Sequence, residues 1–222
     1  MSQKRIREVL EEAGTDPSRI TAIIATHLHS DHINYSTLQV CRKFEIPLYI
    51  HQKNSGALRN SFKSELIENV KIKHFSESPF NLGLFTLQPF IVSHDAYAVT
   101  SGFSISLTDS NEKFLTYAAD LGHFPDPLIS HFQNSKAIVL EANHDRDLLW
   151  KNPNRPFLHK KRVAGDKGHL SNEQSAEALI KIIKSSDKMP QLIVLCHLSH
   201  EHNSPDMAVE SVGSILKNEG IE

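Results

Sequence analysis

The sequence predicts a layered α/β fold, with its elements arranged helix, sheet, sheet, helix. Three observations carry this. Segments with helical spacing of apolar residues alternate with short apolar runs that end on polar residues. A block rich in strand signals fills the middle of the chain. No repeat, low-complexity tract or linker divides the 222 residues. That length suits a single domain over residues 1–222, and 39% hydrophobic residues are enough to bury a full core.

The elements follow in order. In SQKRIREVLEEAG, Ile6, Val9, Leu10 and Ala13 recur at helical spacing and Gly14 supplies a C-terminal stop. RITAIIAT reads as a buried strand, residues 31–45 as a helix, IPLYIH as a short strand, and residues 52–68 as helical or mixed. The β-rich block comes next: NVKIKHF, LFTLQPFIVS, YAVTSGFSISLT and KFLTYAAD, separated by Gly, Asn, Asp and Pro signals. KAIVLEA is a further strand, and SNEQSAEALIKIIKSS is a helix with Ser171 as its N-cap. QLIVLCHL is another buried strand and SPDMAVESVGSILKN the last helix.

Composition narrows the function classes. The net charge is -2, so the chain as a whole is not a trap for polyanions. An apolar leader and a long uncharged apolar run are both absent, which argues against a signal peptide and a membrane span. Two cysteines, Cys41 and Cys196, make no disulfide framework, and a reducing, cytoplasmic setting is the expectation. Fourteen histidines is a high number for this length and directs attention to metal binding.

ATHLHSDHIN holds His27, His29, Asp31 and His32 directly after an apolar run. Alternate side chains of a strand share a face, so His27 and His29 point the same way where the strand ends. Asp31 and His32 follow at the start of the next helix and can turn toward a second point. Neutral imidazole and carboxylate suit zinc and manganese. Three more apolar strands end on ligand-type residues: FIVSHDA on His94, FLTYAADLGH on Asp120, and LIVLCHLSH on His197. In layered α/β folds a site opens at that end of the strands. Each of the three alone reads equally as a hydrogen-bonded residue at a strand edge; the ordered set does not.

That order resembles the metallo-β-lactamase fold, the αββα dinuclear hydrolases. The HxHxDH signature stands here as His27, His29, Asp31 and His32. The resemblance implies one metal held by His27, His29 and His94, a second by Asp31, His32 and His197, and Asp120 shared by both. The cofactors it implies are two divalent ions, Zn2+ or Mn2+. VSHDA, YAADLGH, LEANHD, GDKGHLSNEQSA and HLSHEHN are similar to the YycJ/WalJ-type branch, which implies nuclease action on DNA. Family members usually begin with several strands ahead of the first helix seen here, so the expected sandwich lacks its first N-terminal strands.

The catalytic residues on this reading are Asp31 and His169. GHLSN places His169 just before a helix, where it resembles a histidine of tRNase Z relatives and serves as general acid or phosphate ligand. A structural histidine at a helix start is the plainer reading. RPFLHKKRVAGDKGH gathers Lys160, Lys161, Arg162 and Lys167 before His169, a basic stripe fit to grip a nucleic-acid backbone; a solvated helix face fits equally well. His144 and Asp145 follow a strand, with His144 read as a substrate or supporting contact. His51, His74, His123, His131, His159, His200 and His202 read as surface or supporting residues. Hydrolysis of a DNA phosphodiester leads. Hydrolysis of a small phosphodiester or thioester, and metal binding without turnover, are the alternatives. Composition and motifs leave the oligomeric state open.

Overall fold

The computed structural model describes residues 2–110 and 112–221. The first helix, α1 (Gln3–Glu12), starts where the Ser2 side chain accepts the Arg5 N–H, and Gly14, at φ 70°, turns the chain out of it. Two compact units follow from the chain's contacts: residues 1–78 with 96–101, and residues 79–95 with 102–222.

The first unit holds a parallel three-stranded sheet of β1 (Ile23–Ile24), β2 (Leu48–His51) and β3 (Ile72–Phe75), in that order. Ile23 pairs with Leu48, and Leu48 with Ile72. RITAIIAT yields a ladder of only two residues, at the edge of this sheet beside β2. NVKIKHF joins this parallel sheet rather than the antiparallel block. The helix expected over 31–45 is α2 (Tyr35–Lys43), and the Asn34 side chain, accepting from Thr37 N–H at 3.1 Å, fixes its start. Asp31 and His32 thus sit in the turn before α2. Two short helices, α3 (Ser55–Ser61) and α4 (Ser64–Ile67), occupy the mixed region. Leu28, Ile33, Leu38, Cys41, Leu48 and Ile50 make the core beneath.

The second unit is built on a six-stranded sheet, ordered β4 (Phe80–Leu82), β5 (Phe85–Val92), β6 (Thr100–Leu107), β7 (Lys113–Ala118), β8 (Ala137–Glu141) and β9 (Leu192–Cys196). β6 belongs to this unit from Gly102 onward. β6 and β7 are antiparallel, while β7, β8 and β9 run parallel, so their C-terminal ends open together. Parallel strands need crossovers. Here these are α5 (Ile129–Phe132), then α6 (Arg146–Lys151), α7 (Phe157–Val163) and α8 (Asn172–Lys184), with α9 (Pro205–Asn218) closing the chain. Ser171 does cap α8, in a full capping box with Gln174. Ala176, Leu179 and Ile182 of α8 pack with Ile138 and Leu140 of β8 and with Phe132 and Leu170.

Candidate metal centre

In the first unit the sequence past β1 folds into a tight histidine knot. His27 is fully buried, and its Nδ1 lies 3.1 Å from Thr26 Oγ1. The Ser101 N–H donates to the Thr26 carbonyl at 3.0 Å and holds this segment extended. The His32 and Ile33 N–H groups then both reach the His29 carbonyl, at 3.0 and 2.9 Å, which folds the chain back on itself. As a result the His27 ring centre lies 4.5 Å from that of His29 and 4.2 Å from that of His32. Asp31 Oδ2 is 3.7 Å from His32 Nε2, and its side chain is exposed.

In the second unit the ends of β5, β7, β8 and β9 bring together the later residues. His94 follows β5. Its Nδ1 lies 3.2 Å from the Gly168 carbonyl, and its Nε2 is 3.6 Å from Asp120 Oδ1. Burial lowers the His94 pKa, with the Asp120 charge opposing, so neutral imidazole, the ligand form, is favoured. Asp120 is buried beyond β7, and His197 Nε2 comes within 3.4 Å of its Oδ1. Asp120 and His197 both adopt left-handed backbone, at φ 59° and 56°. Such conformations are costly for residues other than glycine and gather at functional sites.

Glu141, which the sequence reading passed over, organises the cluster. It ends β8, is fully buried, and its Oε1 accepts from Nδ1 of both His169 and His197 at 2.7 Å. Its Oε2 accepts the Leu121 N–H at 2.9 Å. The only signal was an acidic residue closing the apolar run KAIVLEA. With Nδ1 engaged, both imidazoles are left with Nε2 for other work. Asp120, Glu141, His169 and His197 each offer a ligand atom within 4.8 Å of the others. Carboxylate oxygen with imidazole nitrogen is a donor set that fits a divalent ion.

The remaining predicted residues fall as follows. Lys160, Lys161 and Arg162 form the last turn of α7, so the basic stripe does lie on a helix. Arg162 pairs with Asp95, and Lys160 Nζ donates to the Trp150 carbonyl at 2.9 Å. Lys161 and Lys167 are exposed. His144 is 1% exposed, with its pKa pushed down to about 4, first by burial and then by His169. That burial leaves it no surface to offer a substrate. His51 and His202 are buried rather than superficial: His51 Nε2 lies 3.4 Å from Glu77, and His202 Nε2 lies 2.8 Å from Asn152 Nδ2. Burial raises both thiols, Cys41 to about 11 and Cys196 to about 12, so neither is reactive.

The parallel strand ends and their histidine and carboxylate residues define a metal-dependent hydrolase with a mixed α/β fold. A model of the beta-lactamase superfamily domain matches residues 1–197, and the chain belongs to that family. Its relatives place it further. It is 33% identical over 210 residues to exodeoxyribonuclease WalJ of Streptococcus pneumoniae serotype 2, covering 94% of this chain and 74% of the relative. It is 29% identical over 225 residues to exodeoxyribonuclease YycJ of Bacillus anthracis, covering 100% of this chain and 80% of the relative. Among solved structures, the metallo-beta-lactamase fold protein YhfI from Bacillus subtilis aligns with a TM-score of 0.63 at 17% identity, over 90% of this chain and 73% of YhfI. Among the described residues, no helix is long and apolar enough to cross a membrane.

Proposed function

We propose that the chain is a dinuclear metal-dependent phosphodiesterase that degrades DNA as an exonuclease. The observation that carries this is the buried Glu141 carboxylate, which fixes His169 and His197 beside Asp120. As the family resemblance implies, His27, His29 and His94 are proposed to ligate one ion, Asp31, His32 and His197 the other, and Asp120 both. Zn2+ and Mn2+ both suit such ligands. When bound, the ions lower the pKa of water from about 15.7 to about 7 and offset charge on the phosphoryl group.

The protein's own groups supply the rest. His169, held through Nδ1 by Glu141, presents Nε2 to protonate the leaving alkoxide. Lys160, Lys161, Arg162 and Lys167 are proposed to grip the phosphate backbone, with Arg162 contributing least because Asp95 already offsets it. DNA is favoured as substrate because the two relatives carry exodeoxyribonuclease names and because Arg146–Lys167 holds seven Lys or Arg against two Asp.

The test is a nuclease assay on end-labelled single- and double-stranded DNA with Mn2+ or Zn2+. Bis-p-nitrophenyl phosphate runs alongside, and elemental analysis accompanies wild type and Asp120→Asn. The expected result is two ions per wild-type chain, DNA cleavage from one end, and loss of both in the variant. Diester hydrolysis without DNA cleavage would assign a small phosphodiester instead. One tightly held ion unaffected by Asp120→Asn would refute the dinuclear reading.

A further inference from the structure

We propose that Trp150 and Phe157 form a stacking platform for the unpaired bases of a single-stranded nucleic-acid end. This deepens, and rests on, the nucleic-acid reading above. The chain leaves the sheet after Glu141, runs through α6 and α7, and returns at His169. The departure and return points touch, at 2.7 Å between Glu141 Oε1 and His169 Nδ1. The excursion is therefore anchored at both ends on the residues assigned to proton transfer.

Its outer face is unusual. Trp150 is 40% exposed, Phe157 66% and Leu158 77%, although ample core exists to bury such side chains. The Trp150 and Phe157 ring centres lie 5.9 Å apart with planes 42° from parallel, so the two exposed rings form one aromatic pair. Exposed apolar clusters of this kind mark binding surfaces. Charge identifies the occupant. The net charge of the whole chain is -2, yet Arg146–Lys167 holds seven Lys or Arg against two Asp, with Glu201 and Asp95 from outside the segment pairing two of the seven. Aromatic faces interleaved with cations match the alternation of bases and phosphates along a single strand. A lipid surface fits less well, because α6 and α7 have only six and seven residues and present no long amphipathic face.

The platform is also braced before any ligand arrives. Lys160 Nζ donates to the Trp150 carbonyl at 2.9 Å, and Asn152 Nδ2 meets His202 Nε2 at 2.8 Å. Arg155, two residues before Phe157, is paired with Glu201. These cations hold the turn that carries the rings, and Lys161 and Lys167 remain exposed for phosphates.

Trp150 is the sole tryptophan, so its fluorescence reports on the platform directly. The full chain, held in EDTA to prevent turnover, is titrated with oligothymidylate, with an abasic strand of the same length, and with a blunt duplex. Oligothymidylate should quench Trp150 and bind more tightly than the abasic strand, which offers the same phosphates without bases. Phe157→Ala should weaken oligothymidylate binding roughly 5- to 150-fold, the range of one lost base–aromatic stack, and Phe157→Trp should restore it. Equal affinity for abasic and base-bearing strands, or no effect of Phe157→Ala, would overturn the platform. So would quenching by phosphatidylserine vesicles but not by oligonucleotide. Base-dependent quenching in a chain that cuts no DNA with Mn2+ would keep the platform and remove the nuclease assignment. Normal DNA cleavage without base-dependent quenching would do the reverse.

Discussion

Replacing Glu141 by glutamine keeps shape and volume and changes one oxygen to an amide, yet the structure leaves that amide no good orientation. Oε1 accepts from two imidazoles and Oε2 from the Leu121 N–H. If the amide oxygen faces the imidazoles, its NH2 group points at the Leu121 N–H, donor against donor. If it is flipped, the NH2 faces both Nδ1 atoms, which must then give up their protons. The tautomers shift: Nε2 of His197 carries hydrogen where a lone pair is needed for a metal, and His169 loses the acceptor that orients it. The second orientation thus satisfies the amide only with the wrong tautomers; the first leaves a fully buried N–H unsatisfied, at a cost of about 1–3 kcal/mol. For a chain of this size that is a fall in melting temperature of roughly 2–12 °C. Metal affinity or turnover should drop about 10- to 100-fold, as for other residues that orient ligands. Thermal unfolding with and without EDTA, together with competition against a chromogenic chelator, measures both effects. Glu141→Gln with wild-type metal affinity and wild-type melting temperature would refute the argument, because the two orientations exhaust the possibilities.

Other expectations concern single groups. His169→Ala should retain its metals, because His197 and Leu121 still satisfy Glu141, but lose about 10²–10⁴-fold in DNA turnover. An activated p-nitrophenyl diester, whose leaving group needs no proton, should suffer far less; equal losses on both would make His169 a phosphate ligand. Lys161→Ala should reduce the log–log salt slope of duplex binding by about 0.9, and Arg162→Ala by less, because Asp95 already holds that cation; the reverse ranking in an anisotropy titration would remove the stripe from the interface. His144 has a folded pKa of about 4, below its unfolded value near 6.5. The unfolded chain therefore takes up the proton first as pH falls, and stability is lost from about pH 6.5 down to about pH 4. Between pH 7 and pH 5 that amounts to about 2 kcal/mol, which urea melts of wild type and His144→Gln should separate; a wild-type curve as flat as that of the variant would remove His144 as the cause.

How much was legible in the sequence follows from the physics of each signal. The long helices α8 and α9 have caps and periodicity and were readable. So was the crowding of His27, His29 and His32, whose rings meet as their spacing in one short motif suggests. The short helices α5, α6 and α7 have too few turns to show a period, and β4 has only three residues. Burial of His144 and His51 depends on contacts far apart in sequence, which local pattern does not carry. Glu141 illustrates the same limit: it is one acidic residue in a strand, and its importance arises only when His169 and His197, 28 and 56 positions away, arrive at the same oxygen. Arg162 looked like a free cation because Asp95 lies 67 positions earlier.

The return leg of the α6–α7 excursion is fastened by close backbone approach as well as by the side chains of Ser93, His123 and His94. A Cβ on Gly168 would lie 2.1 Å from the Val163 carbonyl oxygen, and one on Gly122 would lie 2.3 Å from the Asp166 carbonyl carbon. The His169 N–H also donates to the Val163 carbonyl at 2.8 Å. The segment between Asp145 and Val163 thus has fixed terminals, and its span is held as well: Leu149 is fully buried, Asn152 meets His202, and Arg155 pairs with Glu201. Loop closure cost grows by only about 0.6 kcal/mol for each doubling of length, so a longer or shorter insert that keeps Leu149 in the core could be seated between the same two clasps without moving Glu141 or His169. For an engineer this makes the stretch a socket: the proposed substrate grip can be exchanged as a block, while the proposed chemistry stays wired to residues on either side of it.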